Sequence, residues 1–91
     1  MRVKSIPIVF VLTCSDHNLD AFLTFRLDAK KAGAVIGTGG SVISAIRRAT
    51  DTQIYLSHEA DLFSCRHVEV LGKLSNIKQA ASSIIDILSK E

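Results

Sequence analysis

The residues of this chain best placed to do chemistry are Gly37, Thr38, Gly39 and Gly40, inside residues 33–56, GAVIGTGGSVISAIRRATDTQIYL. Three of the four lack a side chain, so another molecule's backbone can approach this turn closely. An apolar, helix-spaced stretch starts directly after it, so free N–H groups and a positive dipole end point at whatever lies there. That arrangement suits a phosphate, and with an apolar strip beside it, a phosphate that carries a base. An ordinary turn between two helices needs one glycine; three exceed that need. Other chemistries find little support. Gly37-x-Gly39 followed by Val42 does not complete GxGxxG, and Gly40-Ser41 lacks the phosphate-binding lysine that would follow in a nucleotide loop. No paired carboxylates, Cys/His couple or Ser/His/Asp set stands at catalytic spacing, so the chain reads as a non-enzyme with no catalytic residue and no cofactor.

The pattern Val35-Ile36-Gly37-x-Gly39-Gly40-x-x-Ile43-x-x-Ile46-x-x-x-Thr50-x-x-x-Ile54-x-Leu56 resembles the core of a KH domain, the single-stranded nucleic-acid binder whose GXXG loop clamps the backbone. The resemblance runs from about residue 21 to about residue 90. It implies an α+β fold of type I, β-α-α-β-β-α. A three-stranded antiparallel sheet then carries three helices on one face. It also implies an RNA-binding set: Ala34, Ile36, Gly37, Thr38, Gly39, Gly40, Ile43, Arg47, Leu56 and Arg66. Ile36, Ile43 and Leu56 match positions that floor the hydrophobic groove, and Ala34 beside it is small enough to admit a base. Val35, Ile46 and Ile54 match the inward side. Arg47 matches the groove wall and Arg66 the basic residue opening the third strand, where a guanidinium fork pairs with a base edge or phosphate. The backbone of Leu56 is expected to read a base without a side chain. Two departures stand out. Thr38 and Gly39 occupy the variable loop positions where the family usually has a basic residue, and Asp51 stands where it often has glycine.

Length and charge agree with one small binding domain. The 91 residues allow a single modest core, and 47% apolar content argues for a folded chain. The net charge is only +2, but residues 1–50 carry +4 and the remainder −2, so the glycine-turn half is the basic half. Lys30, Lys31 and Arg48 read as an electrostatic rim. Cys14 and Cys65 lack metal-ligand spacing; their number allows one disulfide, but two reduced thiols in an intracellular protein is the favoured reading. His17, His58 and His67 are scattered, so no metal site is expected. No apolar run approaches the roughly 18–20 residues of a membrane span. The start of the chain, basic and then apolar, superficially resembles a secretory signal, but the run is short and no small-x-small site follows it. The chain reads as one domain of something longer.

The elements that must position the turn follow from composition and periodicity. Residues 6–12 (IPIVFVL) are β-branched and aromatic and read as an extra N-terminal strand, with Pro7 favouring a sheet edge. Residues 13–20 read as a loop. Residues 21–27 alternate, placing Leu23, Phe25 and Leu27 on one side, and form a second strand able to pair antiparallel with the first. Helices are expected over residues 29–36 and 41–50, the latter with Val42/Ile43, Ile46 and Ala49 at helical spacing. A strand over residues 53–57, a variable loop over 58–65 and a strand over 66–71 closed by Gly72 come next. A long helix over residues 75–89 carries Ile77, Ala80/Ala81, Ile84/Ile85 and Leu88 on one face. The domain division is then an extension over residues 1–20 and a KH domain over residues 21–91.

Two functional readings remain. In the first, the chain is a sequence-selective module that binds about four nucleotides of single-stranded RNA in a post-transcriptional regulator. The resemblance then implies mRNA processing, splicing, stability or translation, in the nucleus and/or cytoplasm. Tandem domains or a homodimer would supply avidity, and single-stranded DNA stands as the alternative ligand. In the second, it is a KH-like protein-interaction or dimerisation module, pairing through the N-terminal strand or the apolar face of the last helix.

Overall fold

The computed structural model describes residues 11–14 and 20–90. In chain order these form β1 (Val11–Cys14), β2 (Asp20–Asp28), α1 (Ala29–Ile36), a 3₁₀ turn (Thr38–Gly40), α2 (Ser41–Thr50), β3 (Gln53–Leu56), β4 (Cys65–Lys73) and α3 (Leu74–Ser89). One antiparallel sheet has the order β1-β2-β4-β3. From β2 onward this is the expected type I order, a three-stranded sheet carrying three helices, with β1 added at the side remote from β3.

Alternation in β2 turns Ala21, Leu23, Phe25 and Leu27 to one face, where all four are buried. Val68 and Val70 of β4 and Ile54 of β3 share that face. Against it pack Ala32 and Val35 of α1, Ile43 and Ile46 of α2, and Ile77, Ala80 and Ile84 of α3. Fully burying each Leu, Ile or Val side chain contributes about 1.5–3 kcal/mol, so this one layer supplies most of the drive to fold.

Local chemistry sets the entry and exit of α1. The Asp28 carboxylate accepts from the Lys30 N–H at 2.9 Å and caps the helix start. The Ala29 N–H donates to the Ser64 carbonyl at 2.9 Å, tying that start to the loop before β4. At the other end the Gly37 N–H donates to the Gly33 carbonyl at 2.8 Å, with Gly37 at φ 78°.

Several boundaries differ from the sequence expectation. The extra strand includes Thr13 and Cys14, expected in a loop, because both continue the ladder against Phe22 and Ala21. Residues 6–10 of that expected strand, Pro7 and His17 lie outside the described residues. Gly72 does not close β4; it pairs with Ala21 inside it, at φ 154°, where a Cβ would stand 3.3 Å from Thr52 Cγ2. The last helix starts at Leu74 after an extended Lys73 that makes no side-chain cap. Ile85 is 49% exposed, because Ile77, Ala80 and Ile84 already complete the buried stripe. In α2, Ala49 is exposed and Thr50 is buried instead. Thr50 Oγ1 donates to the Ile46 carbonyl at 2.7 Å and accepts from Thr52 Oγ1 at 2.8 Å, so neither buried hydroxyl is left unpaired. Asp51 adopts φ 53°, ψ 51°, the left-handed conformation that a glycine takes most easily and that Asp tolerates better than most residues.

Candidate nucleic-acid interface

Gly37, Gly39 and Gly40 all have positive φ, 78°, 61° and 80°. Gly40 donates to the Gly37 carbonyl at 3.1 Å, closing a tight turn. A helical Thr38 followed by a left-handed Gly39 turns successive N–H groups toward one point, an anion-binding nest. The N–H groups of Thr38 and Gly39 have no partner among the described residues. Thr38 and Gly39 are exposed, so the nest opens to solvent directly ahead of α2.

Gly37 has a second role. A Cβ there would stand 2.4 Å from Val42 Cγ2 and 2.7 Å from the Val42 backbone nitrogen, so α2 crosses the turn too closely for any side chain. Val42, Ile36 and Leu56 are half-buried and pack on the core edge, forming the apolar strip beside the nest.

β3 is the outer strand of the sheet, and Arg47 of α2 reaches its outer edge. Ser57 donates its N–H to the His67 carbonyl, so strand alternation turns the N–H and C=O of Ile54 and Leu56 outward, away from β4. The Ile54 carbonyl is taken by Arg47, whose Nε and Nη2 donate to it at 3.2 and 2.7 Å. The Leu56 N–H and C=O have no partner among the described residues. Arg66 donates Nε to the Ser57 carbonyl at 2.7 Å. Both guanidiniums are thus anchored to main-chain oxygens, of Ile54 in β3 and of Ser57 just after it, and their remaining donors have no partner among the described residues. Lys30, Lys31 and Arg48 are exposed and add positive charge to the helical side.

Of the ten residues expected at the site, Ala34, Ile36, Gly37, Thr38, Gly39, Gly40, Arg47, Leu56 and Arg66 are half-buried or exposed. Ile43 differs from the other nine in burial. It is only 5% exposed and belongs to the core, since it lies three residues before buried Ile46 and shares its inward face. Val42, one helical step earlier, takes the strip position that Ile43 was expected to fill. A helical period alone does not separate two adjacent apolar residues; the contact with Gly37 does.

Sequence reasoning also missed Asp61. In the loop between β3 and β4 its Oδ1 accepts from the N–H groups of Phe63 and Cys65 at 2.8 and 3.0 Å. Its Oδ2 pairs with Arg26 at 2.9 Å and His67 at 3.2 Å. Desolvation pushes the Asp61 pKa up, but those two backbone N–H groups and the Arg26 guanidinium outweigh it and hold it at about 2, against 3.8 ordinarily. Nothing in the order of residues marks this acid apart from other loop carboxylates. Cys65, beside it, is a buried free thiol, and no metal-holding cluster occurs among the described residues. A hollow of about 390 Å³ at the far end of the sheet is lined by Asp20, Asp51, Thr52 and Gln53; its two carboxylates disfavour phosphate, and it is separate from the nest.

Comparison with known proteins agrees with this geometry. Residues 23–86 match the KH domain family. Over 64 residues, 70% of this chain, the sequence is 38% identical to heterogeneous nuclear rnp K-like protein 2 of Saccharomyces cerevisiae strain RM11-1a. The same identity and coverage hold for the protein of that name in strain JAY291. The chain spans 17% of the length of these curated relatives. With the glycine turn, the element order and the family match in agreement over the same residues, this chain belongs to the KH domain family, a family of nucleic-acid binders.

Proposed function

We propose that this chain is a sequence-selective single-stranded RNA-binding module of a post-transcriptional regulator acting in mRNA processing, splicing, stability or translation, in the nucleus and/or cytoplasm. The observation that carries the reading is the open N–H nest of Thr38 and Gly39 beside an apolar strip bordered by the free Leu56 backbone. One phosphate sits on the nest, and the attached bases lie flat on Ile36, Val42 and Leu56, with Ala34 leaving room. Arg47 and Arg66 present their uncommitted donors to base edges or phosphates. The relatives' name, which includes "nuclear rnp", supports the same reading. Residues 21–91 are the KH unit and residues 1–20 an extension that contributes β1. A clamp on about four nucleotides gives limited affinity, so tandem modules or a homodimer supply the rest.

A second reading has one observation in its favour. Among the described residues β1 has a partner strand on only one side, which supports pairing of its outer edge with another protein or a second copy.

The deciding experiment is fluorescence anisotropy with randomised short RNA and matching DNA, comparing wild type with Thr38→Asp/Gly39→Asp. Both positions are exposed and a Cβ at Gly39 meets nothing within 4 Å, so this variant keeps its packing. RNA binding in the micromolar range that the variant abolishes supports the clamp. Equal weak binding by both proteins rejects it in favour of the β1 edge.

A further inference from the structure

Leu56 pairs with Val68, so the next pair along β3 and β4 is Ser57 with His67. In a regular antiparallel ladder such a pair exchanges two bonds, each N–H donating to the other's carbonyl. Here the exchange is altered on one side. The Ser57 N–H donates to the His67 carbonyl at 2.8 Å, as the ladder requires. The His67 N–H, which regular pairing would give to the Ser57 carbonyl, donates instead to Ser57 Oγ at 2.9 Å. The hydroxyl thus stands in for the carbonyl of its own residue, and its proton goes to the Glu59 carbonyl at 3.1 Å. The carbonyl released in this way accepts from Arg66 Nε at 2.7 Å.

Arg66 lies on the face of the sheet where the site is. Its partner on β2 is Leu27, buried beneath the helices, and alternation along β4 places Arg66 on the same face as Val68 and Val70. Val68 stands opposite Leu56, so Arg66 begins about 7 Å along β4 from the end of the apolar strip. A free arginine side chain loses rotamers when it binds, and one already fixed through Nε loses fewer. With Nε on the Ser57 carbonyl the guanidinium plane is set. Its Nη donors have no partner among the described residues and form one oriented fork. Without the Ser57 hydroxyl, regular pairing returns the carbonyl to the His67 N–H, and Arg66 loses its sole claim on it.

We infer that Ser57 is a positioning residue for RNA binding: its hydroxyl takes the His67 N–H and so frees its carbonyl to aim Arg66 at the RNA. This rests on the RNA-binding reading above. The test compares wild type with Ser57→Ala, Ser57→Thr, Arg66→Met and the double variant Ser57→Ala/Arg66→Met. In the absence of RNA, NMR follows the arginine Nε–H resonance that disappears in Arg66→Met; the dispersion of the same spectra shows that each variant is folded. Solvent exchange of that proton should be slow in wild type and Ser57→Thr and fast in Ser57→Ala. Anisotropy with a randomised octanucleotide RNA pool should show Ser57→Ala binding about fivefold more weakly, the scale of one long side chain left to be ordered on binding. Ser57→Thr should bind as wild type does, and adding Ser57→Ala to Arg66→Met should cost nothing more. An equal loss in the Arg66→Met background marks a merely structural role and overturns the proposal. So does an Arg66 Nε–H unmoved by Ser57→Ala, or a Ser57→Thr that binds no better than Ser57→Ala. Failure of wild type to bind the pool, with the Arg66 resonance behaving as expected, rejects the RNA-binding reading and the role of Ser57 with it.

Discussion

Gly37 and Gly39 both sit at positive φ, but for different reasons. At Gly39 only the backbone conformation matters, since a Cβ there meets nothing within 4 Å. At Gly37 a Cβ also runs into Val42, including its backbone nitrogen at 2.7 Å, which cannot swing aside. Gly39→Ala should therefore cost about 1 kcal/mol of stability, the left-handed penalty alone. Gly37→Ala adds an overpacked contact to the same penalty and should cost about 3 kcal/mol. Denaturant unfolding of the two variants measures the difference, and equal losses would mean that the close crossing of α2 over the turn is not needed. The triplet of glycines thus divides its labour: one lets the helix approach, the others shape the nest.

At the scale of elements, the groove is a relation between α2 and the free edge of β3, and Arg47 is the tie. Two of its N–H donors converge on one carbonyl, that of Ile54. A lysine ammonium cannot reproduce that fork, so Arg47→Lys is not conservative here. We expect it to lower stability by about 1 kcal/mol, the scale of a partly exposed charged hydrogen bond. It should weaken RNA binding by more than the charge-preserving swap alone predicts, because α2 is no longer held against β3. Parallel unfolding and anisotropy titrations check this; unchanged binding would separate the tie from the ligand site. The boundaries of the elements show the limits of composition. Residues 29–36 and 41–50 were legible as helices from their spacing, and both end as expected because a glycine and a left-handed Asp51 stop them. β4 runs through Gly72 because its partner Ala21 lies fifty-one positions earlier, a pairing that no local window contains.

For the molecule as a whole, Asp61 joins parts distant in sequence: Arg26 on β2, His67 on β4 and the loop backbone between. Its folded pKa, about 2, lies below the ordinary 3.8. A depressed carboxylate pKa means the native state holds the proton less tightly, so its contribution is fully present above about pH 4. That contribution is lost as pH falls toward 2. Thermal unfolding should accordingly show wild type more stable than Asp61→Asn at neutral pH, with the gap closing between pH 4 and pH 2. A gap that stays constant across that range would mean the carboxylate charge is not what anchors the loop. The same carboxylate accepts from the Phe63 and Cys65 N–H groups, so the loop between β3 and β4 is expected to loosen in this variant.

Legible in the order of residues were the local commitments: alternating residues for β2, helical spacing around the glycine turn, and three glycines where one would serve. These are properties of neighbours along the chain, and they were enough to point to the family and to nine of the ten site residues as surface-accessible. Tertiary structure decided the rest. It chose Val42 over Ile43 for the apolar strip, because helix phase is set by what α2 packs against. It turned the Leu56 backbone outward, because strand alternation depends on register with β4. It made Asp61 an anchor, because its partners come from strands that meet only when the sheet forms.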